Sequence, residues 1–124
     1  MGLDMNAYKS KIAPRGEVDF GMNPGDWDNE LHSWRKHPDL HGWMWQLYLA
    51  KGGTYRRFNC RCVQLTLEDL DRLEMDIVTN RLPFTDGVFF GWSDGSEKED
   101  DLAFVTKARA ALQAGEYVYY MADY

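Results

Sequence analysis

Between residues 32 and 43 the chain gathers His32, Trp34, Arg35, Lys36, His37, His41 and Trp43. This set suits an anion that carries a flat base. Arg35 can hold a phosphate or carboxylate through a forked pair of hydrogen bonds, and Lys36 adds a second permanent cation. A tryptophan face can stack on a nucleobase, and a helix start nearby adds partial positive charge at the same end. The alternative is structural, with Trp34 and Trp43 packing helices and Arg35-Lys36 on a solvated face near a helix end. A second group, Gly87-Val88-Phe89-Phe90-Gly91, is an apolar stretch bounded by glycines, which permit close approach of a ligand or another strand. On a strand, Phe89 and Phe90 point to opposite faces, one into the core and one outward. The expected ligand-binding residues are therefore Trp34, Arg35, Lys36, His41, Trp43 and Phe90.

Other chemistries find less in the chain. His37 and His41 are four apart, the helical spacing of two zinc ligands, but His37 precedes Pro38 and no HExxH pattern is present. Cys60 and Cys62 flank Arg61 and supply too few ligands for zinc; they are expected as two reduced thiols on one strand face. The acidic run Glu97, Glu99, Asp100, Asp101 lacks the alternating oxygen ligands of a calcium loop and reads as a helix start favoured by its dipole. Ser33 lies beside His32, yet no GxSxG elbow occurs. No metal, cofactor or catalytic set is expected.

The charge balance narrows the partners. A net charge of −6 repels phosphate backbones, so duplex nucleic acid is disfavoured. The acidity is uneven: Arg35, Lys36, Arg56, Arg57 and Arg61 lie between residues 35 and 61, and acid dominates after Glu97. Nothing approaches the apolar length of a membrane span, and Met1-Gly2-Leu3-Asp4 is not a basic stretch before an apolar run. A cytoplasmic protein without a membrane partner is expected.

The elements that must position these residues can be read from periodicity. Leu3, Met5 and Ala7 share one parity and predict a strand over 2–8, with a short second strand over 18–20. Asp26 or Asp28 caps a predicted helix that runs to the break at His37-Pro38. Pro38 then opens a second helix carrying Leu40, Trp43, Met44, Leu47 and Ala50, closed by Lys51 and Gly52-Gly53. A strand is predicted over 58–65. Thr66 and Asp69 form a capping box for a helix carrying Leu67, Leu70, Leu73 and Ile77. A short strand over 87–91 follows. Ser96 and Glu99 suggest a second capping box for a helix carrying Leu102, Val105, Ala108 and Leu112 up to Gly115. The aromatic and β-branched residues over 117–121 predict a closing strand. Together these give a single α+β domain over 1–124, with a mixed or antiparallel sheet of about four or five strands and three or four helices mainly on one face.

Taken in order, Met1-Gly2-Leu3-Asp4-Met5, then Trp34-Arg35-Lys36 followed by Leu40-His41-Gly42-Trp43, then Leu82-Pro83 followed by Gly87-Val88-Phe89-Phe90-Gly91 are similar to a family of small uncharacterised bacteriophage proteins. Members typically read MGLDM, then a YWRK–IH–W segment, then LP–T–GFFFG, and end in an aromatic strand. The likeness spans most of the chain. It departs at Ser33, where the family has Tyr, and at Val88, where it has Phe. Some members carry an automatic label of phosphoglycerate kinase; this chain is too short for a two-domain kinase and has no GxxxxGK[ST] loop.

The resemblance implies a phage-type accessory protein acting in the host cytoplasm. The residues imply non-enzymatic binding or sequestration of a small anionic, nucleotide-like ligand, such as a signal used in host defence. The alternative is a homo-oligomeric interaction module that blocks a host protein. Its support is Tyr117-Val118-Tyr119-Tyr120, a strand that invites pairing if left at an open edge. An enzyme acting on a nucleotide or phosphate ester, with His41 as acid and base, is the third reading.

Overall fold

The computed structural model describes residues 2–23, 25–87 and 90–124. Strand β1 (Asp4–Ser10) lies inside a four-stranded sheet with β2 (Glu30–Arg35), β3 (Val63–Leu65) and β4 (Tyr117–Asp123), in the order β2-β1-β4-β3. Every pairing is antiparallel. Helices α1 (Pro38–Ala50), α2 (Leu67–Val78) and α3 (Lys98–Gln113) complete the α+β domain.

The register explains why the helices gather on one side. Met5 pairs with Trp34 and Ala122, and Ala7 with His32 and Tyr120, while Val63 and Leu65 oppose Tyr120 and Val118. Alternation puts these residues on one face, where they join a single buried cluster with Leu40, Met44, Leu70, Leu73, Phe104 and Val105 from the three helices. Each large apolar side chain closed off here contributes roughly 1.5–3 kcal/mol. The opposite face is smaller. Tyr8 and Tyr119 pack there with Phe20 and Cys62. A 3-10 turn at Asp26–Asn29 covers them, with the Tyr119 hydroxyl donating to Asp26 at 2.8 Å and Trp27 standing edge-on to Tyr8.

Several local signals hold. His37-Pro38 opens α1, and the chain leaves it through Gly52 at φ 103°, with Lys51 N–H donating to Leu47 and Gly53 N–H to Tyr48. The capping box on α2 is complete: Thr66 accepts from Asp69 N–H, and Asp69 accepts from Thr66 N–H.

Others fail for identifiable reasons. The helix expected from Asp26 or Asp28 to His37 shrinks to the 3-10 turn, and residues 30–35 form β2. His32-Ser33-Trp34-Arg35 alternates buried and exposed, and pairing with β1 uses that period-two pattern. The strand expected over 18–20 is one bridge, Val18 to Val63. The strand over 58–65 begins only at Val63, because Cys60 adopts φ 58° and turns the chain. Gly87, Phe90 and Gly91 lie in no strand, while Val88 and Phe89 fall outside the described residues. The Ser96–Glu99 box does not form. Ser96 instead donates to Asp94, and Glu97 accepts from the backbone N–H of Gly95 as α3 begins. Finally, β4 is bonded on both sides, so the sheet ends at β2 on one side and on the other at β3, whose outer side is bridged by Val18.

Candidate functional site

Because β2 is a strand, Trp34 and Arg35 point to opposite faces. Trp34 is buried against Phe104, with ring centroids 4.8 Å apart, and its indole N–H donates to Asp101 at 3.1 Å. Arg35 is exposed and stands 3.8 Å from Asp4. Lys36 ends the strand at φ 56°, its N–H donating to Leu3 at 2.8 Å. Trp43 is buried on α1 and donates to Asp76 at 2.8 Å. The two tryptophans therefore spend their polar edges on carboxylates inside the fold.

His41 and Phe90 do meet, edge-on at 5.5 Å. His41 is fully buried among Phe58, Phe90, Tyr120 and Tyr124. The Tyr120 hydroxyl lies 2.7 Å from Nδ1, while Nε2 has no hydrogen-bond partner among the described residues. Tyr120 is itself buried, and its O–H needs an acceptor, so Nδ1 accepts and Nε2 carries the ring proton. Burial disfavours the imidazolium and lowers the His41 pKa from 6.5 to about 4. The ring is thus a neutral core residue near pH 7.

The remaining histidines are also engaged. His32 bonds Asp100 through Nε2 at 3.0 Å and accepts from Lys107 at Nδ1. His37 forms an array that no local motif announced. Its Nε2 is 2.7 Å from Asp101, and its Nδ1 is 2.7 Å from Ser93 Oγ. His37 and Asp101 are both buried. Asp101 can only accept, so Nε2 bears the proton, and the Nδ1 lone pair accepts the Ser93 hydroxyl. Ser93 Oγ in turn accepts the N–H of Asp39 at 3.0 Å, supplying the cap that His37 does not give α1. Glu97 lies 3.8 Å from Nδ1.

Ser93 opens onto a cleft of about 300 Å³ at the N-terminal end of α1. Pro38 and Asp39 form its helical wall, and Phe84, Thr85, Asp86, Gly91 and Trp92, all from the segment that joins α2 to α3, line the rest. Asp39 fixes this segment at Thr85 by accepting its N–H at 3.0 Å. Phe84 is 75% exposed and Trp92 80%. Two large rings left in water beside one cleft mark an interaction site more clearly than scattered apolar residues do. Lys36 lies along the rim: a Cβ on Gly91 would fall 2.9 Å from Lys36 Cβ. Among the described residues its ammonium makes no ion pair.

Of the six residues expected to bind a ligand, the structure brings His41 and Phe90 together in the core and puts Lys36 beside the cleft. It spreads Trp34, Arg35 and Trp43 elsewhere. Phe84, Trp92, Ser93 and Asp101 were not among them. In the sequence, Phe84 follows Pro83 and Trp92 follows Gly91, turn-forming neighbours that favour a loop position.

Among the described residues, no group of three or more His, Cys, Asp or Glu side chains is placed to hold a metal ion, and no helix is long and apolar enough to cross a membrane. Comparison with protein-family profiles, curated proteins and solved structures found no match to this chain.

Proposed function

We propose that the protein is a small binding protein that takes up a flat, anionic, nucleotide-like ligand in the cleft at the start of α1. The carrying observation is the pair of exposed rings, Phe84 and Trp92, on the segment between α2 and α3 that borders this cleft. A base inserted against Trp92 removes apolar surface from water and gains stacking of ~1–3 kcal/mol. Lys36 on the rim and the positive end of α1 favour a negative group on the same ligand. Asp39 is held by Thr85 N–H, which limits its repulsion of such a group. The resemblance to bacteriophage proteins adds the setting of an accessory protein that sequesters a host nucleotide signal.

A thermal-shift panel of mono-, di- and cyclic nucleotides tests this reading, with Trp92→Ala as the control. Binding at 100 times Kd stabilises by about 2.7 kcal/mol and raises Tm. The shift must disappear in Trp92→Ala while the unliganded Tm stays in place. A panel without any shift sinks the reading. Self-association in light scattering that Trp92→Ala abolishes would instead assign the exposed rings to a second copy of the chain.

A further inference from the structure

We infer that Ser93 is a nucleophile activated by His37 and positioned through Asp101, and that it accepts the acyl group of a small aryl ester. The inference rests on the cleft being a ligand site and goes beyond it by naming a reaction. A serine that merely capped α1 would need only its bond to Asp39 N–H. Here the same oxygen donates to a buried imidazole whose other nitrogen is held at 2.7 Å by a buried carboxylate. The second oxygen of Asp101 takes the Trp34 indole N–H at 3.1 Å, so the carboxylate cannot rotate away. The tautomer is thereby fixed with the Nδ1 lone pair aimed at Ser93, the state that general-base catalysis requires.

The surroundings fit the charge that develops. When Nδ1 takes the Ser93 proton, the imidazolium lies between Asp101 and Glu97, the latter at 3.8 Å. The Asp39 N–H donates to Ser93 Oγ itself and, with the positive end of α1, favours negative charge on that oxygen as its proton leaves. Ser93 is half-buried and lines the cleft, which leaves it reachable by an ester whose ring rests on Trp92 or Phe84.

The steps balance with water as the only co-reactant. Ser93 Oγ bonds to the ester carbonyl carbon while its proton moves to His37 Nδ1. The tetrahedral intermediate collapses, the bond from carbon to the phenolic oxygen breaks, and the imidazolium proton leaves with the phenol. Water then attacks the acyl-serine with His37 again taking the proton, which releases the acid and restores the Ser93 hydroxyl.

The test uses the full chain with 4-nitrophenyl acetate, following nitrophenolate release, intact mass and peptide mapping. The expected result is a single acetyl group on Ser93, formed roughly 100-fold faster than any acetylation of Ser93→Ala. Asp101→Asn should lower the acylation rate constant without changing the half-saturating ester concentration, because the carboxylate acts through His37. Mapping the unsubstituted protein, quenched in acid, keeps the test decisive even if a variant misfolds: acetyl groups on lysines alone, or neither acetyl-Ser93 nor more than one nitrophenolate released per chain, overturn the inference. Nucleotides that bind and stabilise the protein while Ser93 stays unlabelled would sink this inference and leave the binding reading standing. Ser93 acetylation without any nucleotide shift would do the reverse.

Discussion

The Tyr120 hydroxyl lies 2.7 Å from Nδ1 of His41, and neither side chain reaches solvent. The bond joins α1 to β4 through the middle of the aromatic cluster, and it needs a neutral imidazole. The folded pKa of about 4 lies below the ordinary 6.5, so the unfolded chain takes up this proton first as pH falls. The contribution of His41 is full above pH 6.5 and is lost as pH falls through the interval down to about 4. The expected loss is roughly 1.4 kcal/mol per pH unit within that interval. Urea unfolding at pH 7, 6 and 5 reads it. His41→Phe should start less stable, because Tyr120 loses its acceptor, but should show a shallower slope. An equal slope in both proteins would remove His41 as the acid-sensitive group.

Trp34 and Trp92 should respond in opposite ways to the same change. Trp34→Phe strips the donor from buried Asp101 and should destabilise the fold by about 1–3 kcal/mol. Trp92→Phe alters a ring that is 80% exposed and should stay within about 0.5 kcal/mol of the parent. Denaturant midpoints compare them directly. Comparable losses in both would mean that Trp92 packs rather than waits for a ligand.

The contrast between these tryptophans also shows what the chain discloses locally. Pro38 before an apolar period, Gly52-Gly53 after it, and Thr66 with Asp69 each act within one helical turn, so α1 and the start of α2 were legible. Residues 30–35 were misread because the acidic residues before them resemble a helix start. Their true partner, β1, lies more than twenty residues away. Chain separation also hid the site. Ser93 and Asp101 meet His37 across 56 and 64 residues, and no spacing rule reaches that far. Nor does any local pattern say that the exposed rings are Phe84 and Trp92 rather than Trp34 and Trp43.

Asp69 should prove more costly to lose than the cap it completes. Besides Thr66 N–H, its carboxylate binds Lys51 at 2.5 Å and Arg72 at 2.7 Å. Burial raises its pKa, but these donors outweigh burial and hold it below the usual carboxylate value of 3.8. Its contribution is present above that value and is lost as pH falls through the lower, folded pKa. Thr66→Ala removes one cap and should cost about 1 kcal/mol. Asp69→Asn takes the nearest anion from the Lys51 ammonium, whose side chain is only 10% exposed and which keeps the Gln64 carbonyl at 2.7 Å and Glu17 at 4.0 Å, and should cost about 1.5–3 kcal/mol. Chemical denaturation of the two variants checks the order, and equal costs would mean that the Lys51 pair adds nothing.

Gly42 offers a way to move the wall of the cleft without touching a polar group in it. Inside α1, replacing glycine by alanine should by helix propensity alone stabilise by about 1 kcal/mol. Here a Cβ would fall 1.8 Å from Thr85 Oγ1 and 2.9 Å from Thr85 Cβ. Rotating the hydroxyl relieves the first contact but not the second, so the loop carrying Phe84 and Thr85 must shift. That shift pulls Thr85 N–H from Asp39, which holds the loop at 3.0 Å. Gly42→Ala should therefore destabilise despite the gain in propensity, by roughly 1–3 kcal/mol as in other overpacked sites. It should also weaken ligand uptake, since Phe84 moves with the loop. Adding Thr85→Gly removes the obstructing Cβ and should recover most of the stability lost to overpacking. The double variant still lacks a fixed Thr85 side chain, so ligand affinity should recover less. Melting curves of the two variants, with and without the best nucleotide from the panel, separate these effects. A stabilised Gly42→Ala protein would show that the loop yields freely and does not form a rigid wall of the site.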